Sequence, residues 1–187
     1  QYGDDIGVEV ETTKFSKSNA EELLKKSAAD KNTQGIIVQL PLKEADNSIL
    51  DLIPLEKDVD GLREQSDTAT AMAIHWLLTS YGVELPKLKL AVVGRGKLVG
   101  RPLIKMWTES GYDVTTFAKG DDLNQLVNYD VVVTATGVPG VITSDMLKIG
   151  AVVVDAGTAS EDGVIKGDLA DEVRERSDLI LTPKVGG

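Results

Sequence analysis

The chain contains no cysteine. That excludes disulfides, thiolate catalysis and cysteine-ligated metals, and it suits a reducing cytosol. It has one histidine, and no acidic cluster stands where a metal could replace the missing ligands, so no metal site is expected. Aromatic residues are only 4%, which leaves the core to Val, Ile, Leu and Ala. Cations are short too: 20 Lys and Arg face 30 Asp and Glu, a net charge of −10. No surplus of positive charge is available for nucleic acid or an anionic membrane surface, although the balance leaves room for a local cationic pocket. No apolar run approaches the ~20 residues of a membrane span. The opening residues QYGDDIG have neither the basic nor the apolar part of a leader. Both ends, QYGDDIG and TPKVGG, read as cut.

What is present is ordinary globular material: 42% hydrophobic and 27% charged residues over 187 positions, enough to bury a core in one domain or two small ones. Strand and helix patterns alternate, which predicts an α/β fold with a mainly parallel sheet. Strands are expected at Ile6 to Glu11, Gly35 to Leu40, Leu88 to Val93, Asp113 to Phe117, Asp130 to Thr134, Ala151 to Asp155 and Leu179 to Leu181. Ser18 with Glu21 forms a capping box for a helix to about Ala29. A short helix is expected over Asn47 to Ile53, and a loop over Pro54 to Gly61. Ala71, Ile74, Leu77 and Leu78 give a helical period over Thr70 to Tyr81. A lobe boundary is placed here, dividing residues 1–67 from 68–187.

Gly94, Gly96 and Gly100 follow a β-run and open a helix. Such a turn lets backbone approach a pyrophosphate that faces the helix N-terminus. The spacing is one residue longer than the usual dinucleotide fingerprint, so a tight turn used only for packing stands as the other reading. Cofactors with a free ribose 2′-OH meet an acid at the end of the second strand. Here that strand ends Phe117-Ala118-Lys119-Gly120, and Arg95 sits inside the turn. Two cations beside the ribose favour NADP over NAD, while Asp121 and Asp122 just beyond point the other way, and Lys119 also reads as a solvated loop lysine.

In the first lobe, Gln39 lies at the carboxyl end of an apolar strand beside Leu40 and Pro41, where open α/β sheets gather ligands. An amide there can donate and accept. It can equally satisfy loop backbone. Asp58 and Asp60 flank Val59, and in an extended segment alternation puts both carboxylates on one side. Such a pair could hold a metal, share a proton or bind a nitrogen-rich ring. His75 lies within an apolar helix and reads as structural.

Four phrases in fixed order, VQLPL (Val38 to Leu42), KDVDG (Lys57 to Gly61), VVGRGKLVGRP (Val92 to Pro102) and ATGVPG (Ala135 to Gly140), resemble the bifunctional methylenetetrahydrofolate dehydrogenase/cyclohydrolase family. VVDAGT (Val153 to Thr158), GDL (Gly167 to Leu169) and TPKVGG follow in the family's order, so the resemblance covers nearly the whole chain. It implies a small α/β folate lobe and a Rossmann-like NADP lobe with a parallel sheet. It also implies oxidation of methylenetetrahydrofolate to methenyltetrahydrofolate, and hydration of that product to formyltetrahydrofolate. By the resemblance Gln39, with Leu40 and Pro41, lies at the substrate and positions the catalytic lysine. Asp60 binds the pterin, and Gly186 and Gly187 begin a loop near the folate. Arg95 meets the 2′-phosphate. Gly94, Gly96, Val99, Gly100, Lys119, Thr136, Gly137, Val138 and Thr158 lie along the cofactor. The family commonly forms homodimers.

The sequence departs from the family's pattern in three places. No Tyr-x-x-x-Lys occurs: the residues four beyond Tyr2, Tyr81, Tyr112 and Tyr129 are Ile6, Leu85, Thr116 and Val133. The chain as written is therefore expected to be inactive, the lysine belonging upstream of Gln1. The family's Pro-Cys-Thr-Pro-x-Gly appears as Thr68 to Ala73 with only Thr70 kept, and Gly96 replaces a serine. Two rival readings remain. One is a module that binds NADP and folate without turnover. The other is a two-lobed dehydrogenase of shikimate type, which has no need of KDVDG.

Overall fold

The computed structural model describes residues 2–16, 18–39, 42, 47–63, 68–161 and 164–183. Leu40, Pro41, Gly186 and Gly187 lie outside the described residues. The chain divides into two compact units, Gln1–Ser66 and Asp67–Gly187.

In the second unit five strands form one all-parallel sheet: β1 (Leu90–Val93), β2 (Val114–Phe117), β3 (Val131–Thr134), β4 (Val152–Asp155) and β7 (Ile180–Leu181). Their order is β2-β1-β3-β4-β7. A parallel sheet is covered on both faces, so its strands read as continuous apolar runs. Leu90, Val92, Val131, Val133 and Val154 pack on one side against Ala71, Ile74 and Leu78 of the helix α3 (Ala69–Ser80). Leu103 and Trp107 of α4 (Gly100–Glu109) complete that layer. The intervening residues Ala91, Val93, Val132 and Val153 pack on the other side against Leu126, Ile142, Leu147 and Val173. Short 3₁₀ turns at Leu123–Asn128, Ser144–Met146 and Asp171–Glu175 carry much of that second layer. The strand positions agree with the sequence reading to within two residues. That reading missed the antiparallel hairpin β5 (Ala159–Glu161) and β6 (Val164–Lys166), whose three-residue strands are too short to leave a period.

The first unit departs further from expectation. Its helices are α1 (Tyr2–Asp5) and α2 (Ala20–Ala29). The predicted strand over Ile6 to Glu11 does not form. Alternation alone makes no strand without a partner ladder, and no described residue pairs with this segment. Val8 N–H instead donates to Gly3 O at 2.8 Å, leaving Ile6 and Val10 exposed. The capping box is also replaced. Asn19 stands at the N-cap position of α2 without a side-chain bond to the helix; its side chain accepts instead from Ser16 N–H of the preceding turn at 2.7 Å. Of the predicted strand Gly35 to Leu40, the described residues 35–39 keep a single parallel bridge, Ile36 to Asp58. Ile36 and Val38 are buried while Ile37 is exposed, so this segment is half-buried rather than sandwiched. Lys57 Nζ donates to Ala28 O and Asp30 O, both at 2.7 Å, placing a cation on the last carbonyls of α2, where the helix dipole favours it.

Leu103 is fully buried between α4 and the sheet. Leu103→Ala is expected to cost about 2–5 kcal/mol in urea unfolding, against about 0.5 kcal/mol or less for Leu77→Ala on the exposed side of α3. Equal losses would mean that α4 does not pack as described.

Candidate functional site

The strand order reverses between β1 and β3: the chain leaves β1 for β2 on one flank and returns to β3 on the other. In open α/β sheets ligands bind at this switch point, outside the carboxyl ends of the strands. Those ends are in register here. Gly94 N–H donates to Phe117 O, Ala135 N–H to Val93 O and Ala156 N–H to Thr134 O, each at 2.8 Å.

The glycines of the first turn have distinct duties. Gly94 has φ +105°, and a Cβ there would fall on the Ala135 carbonyl, so the two loops flanking the switch point touch only because the side chain is missing. A Cβ at Gly100 would fall on the Gly94 carbonyl, so Gly100 lets α4 close onto its own turn. A Cβ at Gly96 would meet nothing within 4 Å, so that side of the turn is open to an incoming group, while its carbonyl accepts from Arg101 N–H at 3.0 Å. Val99 is half-buried at the N-cap of α4. The first turn of α4 carries no acid, leaving the positive end of its dipole unopposed.

Arg95 and Lys119 are both exposed. Arg95 also lines a depression of about 450 Å³ with Arg101, Ile104, Lys105, Thr108, Thr116 and the acid Glu109. Arg101 and Lys105, one helical turn apart on α4, went unnoticed in the sequence although their i, i+4 spacing was legible. The two acids that pointed toward NAD are occupied. Asp121 accepts from Ala118 N–H at 2.7 Å. Asp122 accepts from Asn124 N–H at 3.1 Å and from the Gln125 amide at 3.2 Å, and these bonds, Gln125's foremost, hold its carboxyl below the ordinary carboxylate value. The end of β2 therefore offers exposed cations beside two aspartates that accept from their own loop, with the exposed Glu109 also lining the depression; the cations are the groups a 2′-phosphate would use.

Beyond the switch point lies a pair of carboxylates to which the sequence reading gave no role. Asp168 is wholly buried and accepts from Thr134 Oγ1 (2.6 Å), Thr136 N–H (2.6 Å) and Val138 N–H (3.1 Å). Asp155, at the end of β4, accepts from Asp168 N–H (3.0 Å), Leu169 N–H (3.3 Å) and Gly157 N–H (3.2 Å). The Arg174 guanidinium pairs with it at 2.8 Å and reaches Thr182 O at 3.1 Å. The loops carrying Thr136, Gly137, Val138 and Thr158 are thereby tied together, with Gly137, Val138 and Thr158 exposed above them. The phrases VVDAGT and GDL were the only signal of this network.

In the first unit the Ile36–Asp58 bridge is parallel, so Gln39 and Asp60 leave it in the same direction, three and two residues on. Gln39 is exposed. The expected pair of carboxylates on one side is not formed, because Val59 and Asp60 turn instead of extending. Asp58 is buried and accepts from Leu62 and Arg63 N–H at 2.9 Å each; it holds the turn. Asp60 is half-buried, and loss of water, then the nearby Asp58 charge, raises its pKa above the ordinary carboxylate value. No group of three or more metal-ligating side chains occurs among the described residues. His75 proves structural: its Nδ1 accepts from the buried Trp107 indole N–H at 3.3 Å.

Comparison with known proteins bears on both units. The sequence profile of the tetrahydrofolate dehydrogenase/cyclohydrolase catalytic domain matches residues 2–60, and that of the family's NAD(P)-binding domain matches residues 68–187. The chain is 32% identical to the bifunctional protein FolD of Mycoplasmopsis synoviae over 205 aligned positions, covering 98% of this chain and 74% of that protein. It is 36% identical to that of Desulforamulus reducens, covering 100% and 72%. Among solved structures, the 5,10-methylenetetrahydrofolate dehydrogenase of the silkworm Bombyx mori superposes with a TM-score of 0.84 at 27% identity, covering 99% of this chain and 74% of that one. The Trypanosoma brucei FolD enzyme, solved with NADP and an inhibitor, gives a TM-score of 0.81 at 28% identity, covering 92% and 67%. The four phrases, the parallel sheet with its glycine turn and these matches agree: the chain belongs to the tetrahydrofolate dehydrogenase/cyclohydrolase family.

Proposed function

We infer that the protein is a bifunctional NADP-dependent methylenetetrahydrofolate dehydrogenase and methenyltetrahydrofolate cyclohydrolase of one-carbon metabolism. In the first reaction a hydride leaves the methylene carbon of 5,10-methylenetetrahydrofolate, giving the 5,10-methenyl cation. In the second, water adds to that carbon and the ring opens to 10-formyltetrahydrofolate with loss of a proton. Bound NADP supplies the hydride acceptor, and the protein supplies orientation and electrostatics.

The observation that carries this reading is the turn from Gly94 to Gly100 at the switch point, with Arg95 and Lys119 beside it and Asp121 and Asp122 accepting from their own loop. On the assignment proposed here, Arg95 and Lys119 hold the 2′-phosphate, and the Gly94 and Gly96 backbone meets the pyrophosphate with Val99 and Gly100 behind it. Thr136, Gly137, Val138 and Thr158 run along the rest of the cofactor. Gln39, with Leu40 and Pro41, faces the folate and orients the family's lysine. Asp60 accepts N–H bonds from the pterin, and Gly186 and Gly187 approach the folate. We further propose a cytoplasmic homodimer with 1–67 as the folate lobe and 68–187 as the NADP lobe. No helix among the described residues is long and apolar enough to cross a membrane.

The 187 residues hold no Tyr-x-x-x-Lys, so binding is the property that these residues decide. Titration calorimetry is expected to show NADP bound at least about tenfold more tightly than NAD, and Arg95→Ala to cut that preference several-fold with Lys119 left in place, the scale of one lost charge-assisted hydrogen bond. Equal affinity for the two cofactors in the unaltered chain would overturn the NADP assignment. Light scattering is expected to give twice the 20.0 kDa chain mass; a single chain mass would refute the homodimer.

Asp60 supplies a pH test. Its folded pKa is raised, so the folded state binds the proton more tightly than the unfolded chain. Stability from this group is present at low pH and lost as pH rises through the folded pKa. Asp60→Asn, neutral throughout, is therefore expected to melt at or above the unaltered chain at pH 7, with the advantage vanishing below about pH 3.5, under the ordinary aspartate range. The same variant should bind tetrahydrofolate at least about tenfold more weakly. A variant less stable at pH 7 with folate binding intact would make Asp60 a structural residue.

A further inference from the structure

We propose that the buried Asp155–Asp168 pair is a positioning device for the cofactor, fixing the loops after β3 and β4 in the shape that receives the nicotinamide half of NADP. The inference rests on the NADP reading above.

A wholly buried carboxylate is costly unless its oxygens are occupied, and a fold that needed only stability could fill the space with apolar atoms. The side-chain partners of Asp168 share one strand end: the Thr134 hydroxyl and the Thr136 and Val138 N–H groups. Those bonds turn the N–H groups inward and leave Gly137 and Val138 exposed above the sheet. Asp155 does the same one strand further on, holding Gly157 N–H below the exposed Thr158. It also grips the backbone of Asp168 itself, so neither loop can shift without the other. Arg174 closes the network onto Thr182, beyond the end of β7.

The clearances are reciprocal. A Cβ at Gly157 would fall on the Asp168 carboxylate, and one at Gly167 on the Asp155 carboxylate. Each acid occupies the space vacated by a glycine beside the other acid. The adenosine half of the cofactor belongs to the opposite side of the switch point, at the β1 turn and the end of β2; Gly94 of that turn packs on Ala135, but the described hydrogen bonds of Asp155 and Asp168 go to other residues. A positioning role therefore separates the two halves of the cofactor, whereas a merely structural role does not.

The test compares NADP with 2′,5′-ADP, which carries the 2′-phosphate and lacks the nicotinamide, by titration calorimetry on the 187-residue chain. Asp168→Asn and Gly157→Ala are expected to weaken NADP at least about tenfold, in line with a lost bond to a charged group. Thr134→Val is expected to weaken it about threefold, and all three to leave 2′,5′-ADP within about twofold. The double variant Asp168→Asn/Gly157→Ala should be no weaker than either single one, because both act on one contact. Should Asp168→Asn fail to fold, Thr134→Val, which keeps the strand and its shape, carries the comparison. Parallel loss of both ligands, or loss of neither, would overturn the proposal. An unaltered chain that binds neither ligand would instead sink the NADP reading, and this inference with it.

Discussion

The five strands of the sheet all run in one direction, and a parallel sheet must be covered on both faces. Much else in the second unit follows from that constraint. The strands are short and apolar, LAVV and VVVT among them. Their side chains alternate between a layer of two helices and a layer dominated by 3₁₀ turns. With both faces filled by hydrocarbon, polar chemistry is pushed to the carboxyl ends. Thr134, Asp155 and Thr182 appear there, each buried and each at or just beyond the end of its strand. The site is where the sheet stops being able to exclude polar groups.

The second unit was legible in the sequence because its signals are local and strong. Runs such as Leu88 to Val93 and Asp130 to Thr134 predict buried strands whatever surrounds them, and the glycine turn announces the helix that follows. The first unit was not, because its expected strands depended on partners that a sequence pattern cannot supply. Ile6 to Glu11 alternates well and forms no strand. The described part of the next expected strand, residues 35–39, keeps its inward residues, Ile36 and Val38, and has a single bridge in place of a ladder. Pattern reports which side chains want burial, whereas pairing reports what the rest of the chain offers.

Among the site residues, the sequence identified types that face outward and overlooked those that face inward. Arg95, Lys119, Gly96 and Thr158 are exposed and are recognisable by what they could bind. Asp155 and Asp168 are recognisable only by what they hold, and backbone N–H donors leave no mark in a sequence. The same blindness misread KDVDG as a pair of available acids. In the structure Lys57 caps α2, Asp58 holds the turn, and only Asp60 keeps a carboxylate whose burial raises its pKa. One short phrase thus divides into parts that build the turn and one part that the turn presents.

That division gives a physical criterion for separating framework acids from working ones. Asp58, Asp155 and Asp168 are all nearly or wholly buried, and each accepts at least two backbone N–H bonds. Burial of that kind compensates itself, because desolvation is offset by hydrogen bonds already present in the folded chain. Asp60 suffers desolvation and like-charge repulsion together, with no offsetting bond to it among the described residues. A group held at a free-energy disadvantage by its surroundings is what a binding residue resembles before its ligand arrives, since the ligand's N–H donors restore what folding removed. The same reasoning applies to Arg95 and Lys119, cations left exposed in a chain with a net charge of −10. Where acids are in such excess, the loop after β2 engages Asp121 and Asp122 in its own hydrogen bonds and leaves two cations exposed at the end of one strand.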